Sequence, residues 1–92
     1  MNEKIAEALG ILQEECAEVI QEVSKIRRFG IDTISHKSGV SHATMLEMEL
    51  GDVLCLVDYL VEKDIIGQEG LTQAKRNKQI KLEKWSKIYE QD

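Results

Sequence analysis

Apolar residues recur in steps of three and four along the first part of the chain, and this spacing predicts an amphipathic helix. The repeating positions are Ile5, Leu9, Leu12, Cys16, Val19, Val23 and Ile26. Arg27 and Arg28 suit the negative C-terminal end of a helix dipole, and Gly30 can adopt the left-handed turn that closes a helix. We therefore predict a first helix over about residues 2–28.

A second apolar pattern covers about residues 43–63 and is broader than the first. Its leucines and valines occupy about half of the helical circumference, as expected of the central helix of a bundle. Ser41 or Thr44 begins this helix, since Thr44 and Glu47 have the spacing of a capping box. The pattern therefore predicts a second helix with an unusually wide apolar face.

Residues 29–42, between these helices, contain two glycines and three serines and have no clear periodicity. This composition predicts a loop, which either covers a site or is a disordered surface segment. His36 and His42 fall in it, and without partner residues at metal-binding spacing we expect both to be solvent-exposed.

Residues 64–70 (DIIGQEG) interrupt the helical pattern, and a basic helix is predicted over about residues 71–89. Its expected apolar contacts are Ile80, Leu82, Trp85 and Ile88. Stacking on a base is the alternative role for Trp85, but a lone tryptophan at helical spacing is a core residue in most cases. The chain has no proline and no sustained alternation of period two. We predict an all-α fold, a helical bundle formed by a single domain over residues 1–92.

The size of the chain limits the core that it can bury. A chain of 92 residues with 42% hydrophobic content buries only a modest core alone, so we expect oligomerisation. Cys16 and Cys55 fall among apolar helix positions, which predicts reduced, buried thiols rather than a disulfide or a metal pair.

The charge is negative overall and unevenly distributed. The net charge of −5 argues against general nucleic-acid or anionic-membrane binding. Residues 1–70 hold 6 basic and 14 acidic groups, whereas residues 71–92 hold 6 basic and 3 acidic groups. The N-terminus lacks the basic region of a signal peptide, and the longest apolar run, VLCLV, is far below the ~18 residues of a membrane span. We expect a cytoplasmic protein with no membrane partner.

Two pairs of acids lie at the borders of the apolar faces. Glu15 and Glu18 are three residues apart on the first helix, and Glu49 and Asp52 are three apart on the second. Residues at this spacing are neighbours on a helix surface. If the two faces pack together, the carboxylates repel one another in a poorly hydrated place, and a hard divalent cation, Mg²⁺ or Mn²⁺, would neutralise them. An ordinary solvated acidic face is the open alternative.

The acids also form two motifs that resemble those of a known family. EECAE at 14–18 matches EExxE, and ELGD at 49–52 matches ExxD. In this order the motifs resemble the MazG-like all-α nucleoside triphosphate pyrophosphohydrolases. The similarity extends from the first helix to the basic KRNKQIKLEKW segment, and it is greatest to small stand-alone members of the phage type.

The resemblance implies a site and a reaction. It assigns Glu15, Glu18, Glu49 and Asp52 as Mg²⁺ ligands, and Glu14 with Glu15 to catalysis, where Glu14 orients or deprotonates the attacking water. Water would attack between the α- and β-phosphates of a (d)NTP, with guanine nucleotides a mild preference, and release a nucleoside monophosphate and pyrophosphate. The residues expected to bind phosphates are Lys25, Lys75, Asn77, Lys78 and Lys81. For the late basic residues, a solvated basic face that balances the acidic helices is the open alternative. The family further implies a homodimer or homotetramer, in the host cytoplasm if the gene is a phage gene.

A second hypothesis is that the protein does not catalyse a reaction. The same acidic helices would suit a non-catalytic interaction module that binds a protein partner. The two hypotheses differ in whether Mg²⁺ and a nucleotide bind the folded protein and thereby raise its thermal stability.

Overall fold

Three helices make up the fold. In the computed structural model, which describes residues 1–91, α1 spans Glu3–Phe29, α2 spans His42–Glu62 and α3 spans Gln68–Trp85. Among these residues there is no strand longer than an isolated bridge between Ile34 and Ser41. The prediction of an all-α fold is confirmed.

The ends of α1 follow its sequence signals. The Asn2 side chain caps the first turn by accepting a hydrogen bond from the Ile5 N–H at 2.8 Å. At the other end the Gly30 N–H donates to the Ile26 carbonyl at 2.8 Å, and Gly30 has a φ of 99°, a conformation that side-chain-bearing residues rarely adopt. The helix thus begins and ends within one residue of the predicted bounds.

The connection from α1 to α2 is an ordered hairpin. The Ser35 N–H donates to the Val40 carbonyl and the Gly39 N–H donates to the Ser35 carbonyl, at 2.8 and 2.9 Å. The first N–H of α2, at His42, donates to the Thr33 carbonyl at 3.0 Å. Ser41 is the cap of α2, because its hydroxyl oxygen accepts from the Thr44 N–H at 3.1 Å. The serines and glycines of this segment therefore form hydrogen-bonded turns.

The chain divides into two compact units, one of residues Met1–Leu60 and one that begins at Val61. In the first unit α1 and α2 are antiparallel neighbours. Ala8 shares a groove with Leu56, Glu15 lies near Asp52, and Glu22 lies near His42. Residues that are far apart in sequence therefore meet along the whole length of this helix pair.

The apolar face of α2 is only partly covered within one chain. Among residues 1–91 the buried hydrophobic side chains are few, namely Ile5, Ala8 and Leu60, while Met48 and Leu54 are 56% and 61% exposed. Cys16 and Cys55 are free, as predicted, but the prediction that they are buried is wrong, since both are exposed. Two helices cannot enclose faces as wide as these.

The second unit contains α3, whose bounds differ from the pattern. The pattern predicts a start near Leu71, but the helix begins at Gln68, directly after the extended Gly67, and includes Gly70 in its first turn. It ends at Trp85 rather than near Tyr89, because Ser86 is extended. Trp85 is 79% exposed, so its prediction as a core residue is wrong. None of the described helices is both long and apolar enough to cross a membrane.

Candidate functional site

Three of the four predicted metal ligands converge between α1 and α2. Carboxylate oxygens of Glu15, Glu49 and Asp52 lie within 4.8 Å of one another. Glu15 and Glu49 are half-buried, and Asp52 is exposed. The antiparallel packing brings the EExxE helix alongside the ExxD helix, so acids that are separated by more than thirty residues share one place.

Glu15 is the central acid of this cluster. Loss of hydration raises its pKa above the ordinary value, and repulsion from Asp52 and then from Glu49 raises the pKa further. Among the described residues no lysine or arginine forms an ion pair with any of the three acids. Three oxygen donors without a protein counter-ion fit a hard divalent cation, which prefers carboxylate ligands.

Two other acids of the EExxE motif lie outside this group. Glu18 is exposed and does not belong to the set of mutually close carboxylates. Glu14 is also exposed, and its carboxylate forms no hydrogen bond or ion pair with any residue that the structure describes. The chain alone thus places three predicted ligands together and leaves Glu18 and Glu14 facing solvent.

A buried ionic group lies two turns beyond Glu15 on the same helix. Glu22 is 4% exposed, and its Oε1 lies 3.3 Å from Lys25 Nζ. Its Oε2 lies 3.5 Å from Nδ1 of His42, which is 6% exposed. The prediction that His42 is solvent-exposed is wrong, because the first turn of α2 packs against α1. Glu22 was missed as a site residue, although it is seven positions from Glu15 and therefore lies on the same helix face.

The remaining predicted binding residues lie in both units. Lys25 belongs to the first unit and is partly exposed beside Glu22. The other four lie on α3 in the second unit and are all exposed, namely Lys75, Asn77, Lys78 and Lys81. The Asn77 carbonyl oxygen accepts a hydrogen bond from the Gln73 amide at 2.9 Å. The face that α3 exposes is basic.

Comparison with protein families agrees with the geometry of the first unit. A family model described as the MazG nucleotide pyrophosphohydrolase domain matches residues 4–69. The chain belongs to the MazG family. The matched region of this MazG chain contains both acid motifs and the buried Glu22 and His42. No curated protein and no solved structure gave a match.

Membership of the MazG family connects the acidic cluster with nucleotide pyrophosphohydrolases. The convergence of Glu15, Glu49 and Asp52 is a property of this chain, observed in its own packing. All three acids of the cluster lie within residues 4–69, which the MazG domain matches. Together the cluster and the family match make the α1–α2 pair the candidate functional site.

Proposed function

We propose that this MazG-family chain is a Mg²⁺-dependent nucleoside triphosphate pyrophosphohydrolase. The observation that carries the proposal is the convergence of Glu15, Glu49 and Asp52 within a chain that the MazG domain matches. The reaction is cleavage of a (d)NTP between its α- and β-phosphates by water. The products are a nucleoside monophosphate and pyrophosphate.

The acids are proposed to hold the cation. Glu15, Glu49 and Asp52 provide three oxygen donors, and Glu18 is proposed as a fourth because it lies one turn from Glu15. A bound Mg²⁺ lowers the pKa of water and screens phosphate charge, and Mn²⁺ is the proposed substitute. Desolvation, and then repulsion from Asp52 and Glu49, raise the pKa of Glu15, and a neighbouring cation would oppose these effects by stabilising the ionised carboxylate.

The attacking water needs a group that takes its proton. We assign this role to Glu14, with Glu15 as the second catalytic acid, because Glu14 is a solvent-accessible carboxylate next to the cluster in sequence. The bond between the α- and β-phosphates breaks as the new bond to the water oxygen forms. The carboxylate holds the proton until solvent removes it.

Basic side chains are proposed to bind the phosphates. Lys25, Lys75, Asn77, Lys78 and Lys81 are assigned on the basis of charge, hydrogen-bonding capacity and exposure. For the base we propose a guanine nucleotide, by resemblance to small MazG-like proteins of the phage type. Base preference is measured by comparing pyrophosphate release across the four dNTPs and four NTPs.

A second copy of the chain is proposed to cover the open face of α2. An apolar groove with little polar surface is lined by Ile26, Ile31, Ala43, Leu46, Leu50 and Leu54. Leaving a face of this kind in water is unfavourable, and self-association into a dimer or tetramer removes it from solvent. Sedimentation of the wild-type protein and of a Leu54→Glu variant tests the assembly, since a charge in the groove should shift the population toward monomer.

The decisive test of the activity uses one matched pair of substitutions. Asp52→Asn removes a clustered carboxylate, whereas Asp58→Asn makes the same change at an exposed position on the same helix. We expect pyrophosphate release to fall at least about a hundredfold in Asp52→Asn. Mutation of a residue that only hydrogen-bonds to a metal ligand already lowers metal affinity or activity by up to about a hundredfold. Asp58→Asn should retain activity. Equal turnover in the two variants would refute the proposal and favour the non-catalytic interaction module.

A further inference from the structure

A basic cavity lies where the α1–α2 pair meets the hairpin, whereas the acidic cluster lies near the middle of α1. It has a volume of about 290 Å³ and is formed by the end of α1, the hairpin and the first turn of α2. Its principal lining residues are Lys25, Arg28, Phe29, His36, Lys37 and His42. Lys25 is ten residues beyond Glu15, so about 15 Å of helix separates the cavity from the acidic cluster.

The charge of the cavity is opposite to that of the protein. Lys25, Arg28 and Lys37 contribute three positive charges, and none of the described side chains that line the cavity is acidic. The buried Glu22 behind Lys25 contributes one negative charge. The local balance is therefore +2 with both histidines neutral, in a chain whose net charge is −5. A concave surface lined by one sign of charge concentrates ligands of the other sign.

His42 supplies an independent indication that a ligand belongs here. Its side chain is more than nine-tenths buried and lines the cavity. The Nδ1 atom has no hydrogen-bond partner among the described residues, since its distance of 3.5 Å from Glu22 Oε2 is too long for a good hydrogen bond. A buried imidazole left without a partner is costly. The wall of the cavity therefore includes a buried polar atom whose hydrogen-bonding capacity is unsatisfied.

Arg28 is held at the cavity by an aromatic contact. Its guanidinium carbon lies 4.9 Å from the centre of the Phe29 ring, and that ring stacks on His42 with centroids 6.1 Å apart. Stacking limits the orientations of the guanidinium group while its N–H donors remain available. A planar guanidinium that is oriented in this way suits the two oxygens of a phosphoryl group.

We propose that this cavity binds a phosphate-bearing anion without the help of a metal ion. Arg28 and Lys37 are the principal ligands, Lys25 adds a third positive charge, and His42 adds a buried polar atom to the wall. The anion is either the phosphate chain of a nucleotide or free pyrophosphate, which share the recognised chemistry. The proposal does not depend on hydrolysis, because an anion held by cationic side chains needs no acidic cluster.

The test is titration of the whole protein with pyrophosphate in EDTA, followed by calorimetry. Without a divalent cation the acidic cluster repels pyrophosphate, so the heat reports binding to cationic side chains, and the cavity variants assign that heat to the basic cavity. We expect saturable binding to the wild type and to Glu49→Gln. The double variant Arg28→Gln/Lys37→Gln should bind at least about tenfold more weakly, because it removes two charge-assisted hydrogen bonds to the anion.

Arg27→Gln is the matched control, because Arg27 is the preceding residue and does not line the cavity. It should bind pyrophosphate within about twofold of the wild type. No saturable binding to the wild type, or equal weakening in Arg27→Gln and the double variant, would overturn the proposal. Amide NMR shifts on pyrophosphate addition provide a second measurement, and shifts confined to regions outside residues 25–42 would also overturn it.

A kinetic comparison in Mg²⁺ distinguishes the two sources of the anion. If the cavity binds the phosphate chain of the substrate, the double variant should have a raised KM for the preferred NTP. If the cavity binds free pyrophosphate, KM should be unchanged while inhibition by pyrophosphate is lost. Failure of the proposed hydrolase activity would leave the EDTA titration unaffected, so the two proposals fail separately.

Discussion

The acidic cluster and the basic cavity lie at different positions along the same helix pair and manage their charge in different ways. Glu15, Glu49 and Asp52 have no cationic partner among the described residues. The cations of the basic cavity are accompanied by Glu22, which is buried beside Lys25 and His42. The difference implies that the acidic cluster requires an external cation, whereas the basic cavity is partly compensated before any ligand binds.

The largest expected effect is the stabilisation of the folded protein by Mg²⁺ at the acidic cluster. Mg²⁺ at about a hundred times its dissociation constant should raise the free energy of unfolding by about 2.7 kcal/mol by mass action. Thermal melting in Mg²⁺ and in EDTA measures this difference. The difference should vanish in Asp52→Asn and persist in Arg28→Gln, because only the former removes a clustered carboxylate.

If Mg²⁺ raised the melting temperature of Asp52→Asn as much as that of the wild type, the acidic cluster would not be the site that requires the cation. This result would place the bound cation elsewhere on the protein. Complete indifference of the wild type to Mg²⁺ and nucleotide together would favour the interaction module.

The next largest effect is the loss of stability expected when the Glu22 charge beside the basic cavity is removed. Glu22→Gln removes the buried charge beside Lys25 and His42 and should lower the free energy of unfolding by about 2 kcal/mol. This is less than the loss for a fully buried pair, because the Lys25 side chain is 38% exposed. Urea unfolding in EDTA measures the change.

Glu7→Gln provides the control for this measurement, as the same substitution at an exposed position of α1. It should change stability by less than about 0.5 kcal/mol. If Glu22→Gln were as neutral as Glu7→Gln, Glu22 would not be the counter-charge of this end of the helix pair.

The smallest effect is the pH dependence of folding stability that arises from Glu15 in the acidic cluster. The pKa of Glu15 is raised in the folded state by desolvation and by Asp52 and Glu49, so folding favours the protonated form. The contribution of this group to stability is full below its ordinary pKa of 4.5 and is lost as pH rises through the higher folded-state value. In EDTA, Glu15→Gln should therefore melt at a higher temperature than the wild type at neutral pH, and the two should converge below pH 4.5.

Melting curves of Glu15→Gln and the wild type across this pH range check the prediction. Saturating Mg²⁺ should reverse the order at neutral pH, because the variant lacks a ligand. A lower melting temperature of Glu15→Gln in EDTA at neutral pH would show that the carboxylate is compensated by the protein.

Residues on regular helices were predictable to a large extent. The three- and four-residue steps of apolar residues located α1 and α2, and the i, i+3 acids identified the two pairs that flank their packed faces. Glu22 could have been found by the same reasoning, since it lies on the face of Glu15. Periodicity alone does not indicate the burial of an acidic residue, which becomes favourable only with a partner such as His42 of α2.

Residues near the hairpin and on α3 were less predictable. The burial of His42 depends on hydrogen bonds between the hairpin and the first turn of α2. The spacing of apolar residues in the sequence does not predict these hydrogen bonds. Trp85 has the spacing of a core residue, yet its side chain is largely exposed. In both cases the outcome depends on what packs against the residue, which local sequence does not encode.

By itself the sequence determined the helices, the acid motifs and the family to which the chain belongs, because these depend on local spacing. Tertiary structure decided which acids meet. It joined Glu15 to Glu49 and Asp52 but left Glu18 outside, and it buried Glu22 against His42. The physical reason is that the electrostatic state of a side chain is set by its distance to other charges and to water, and the antiparallel packing of α1 and α2 fixes both.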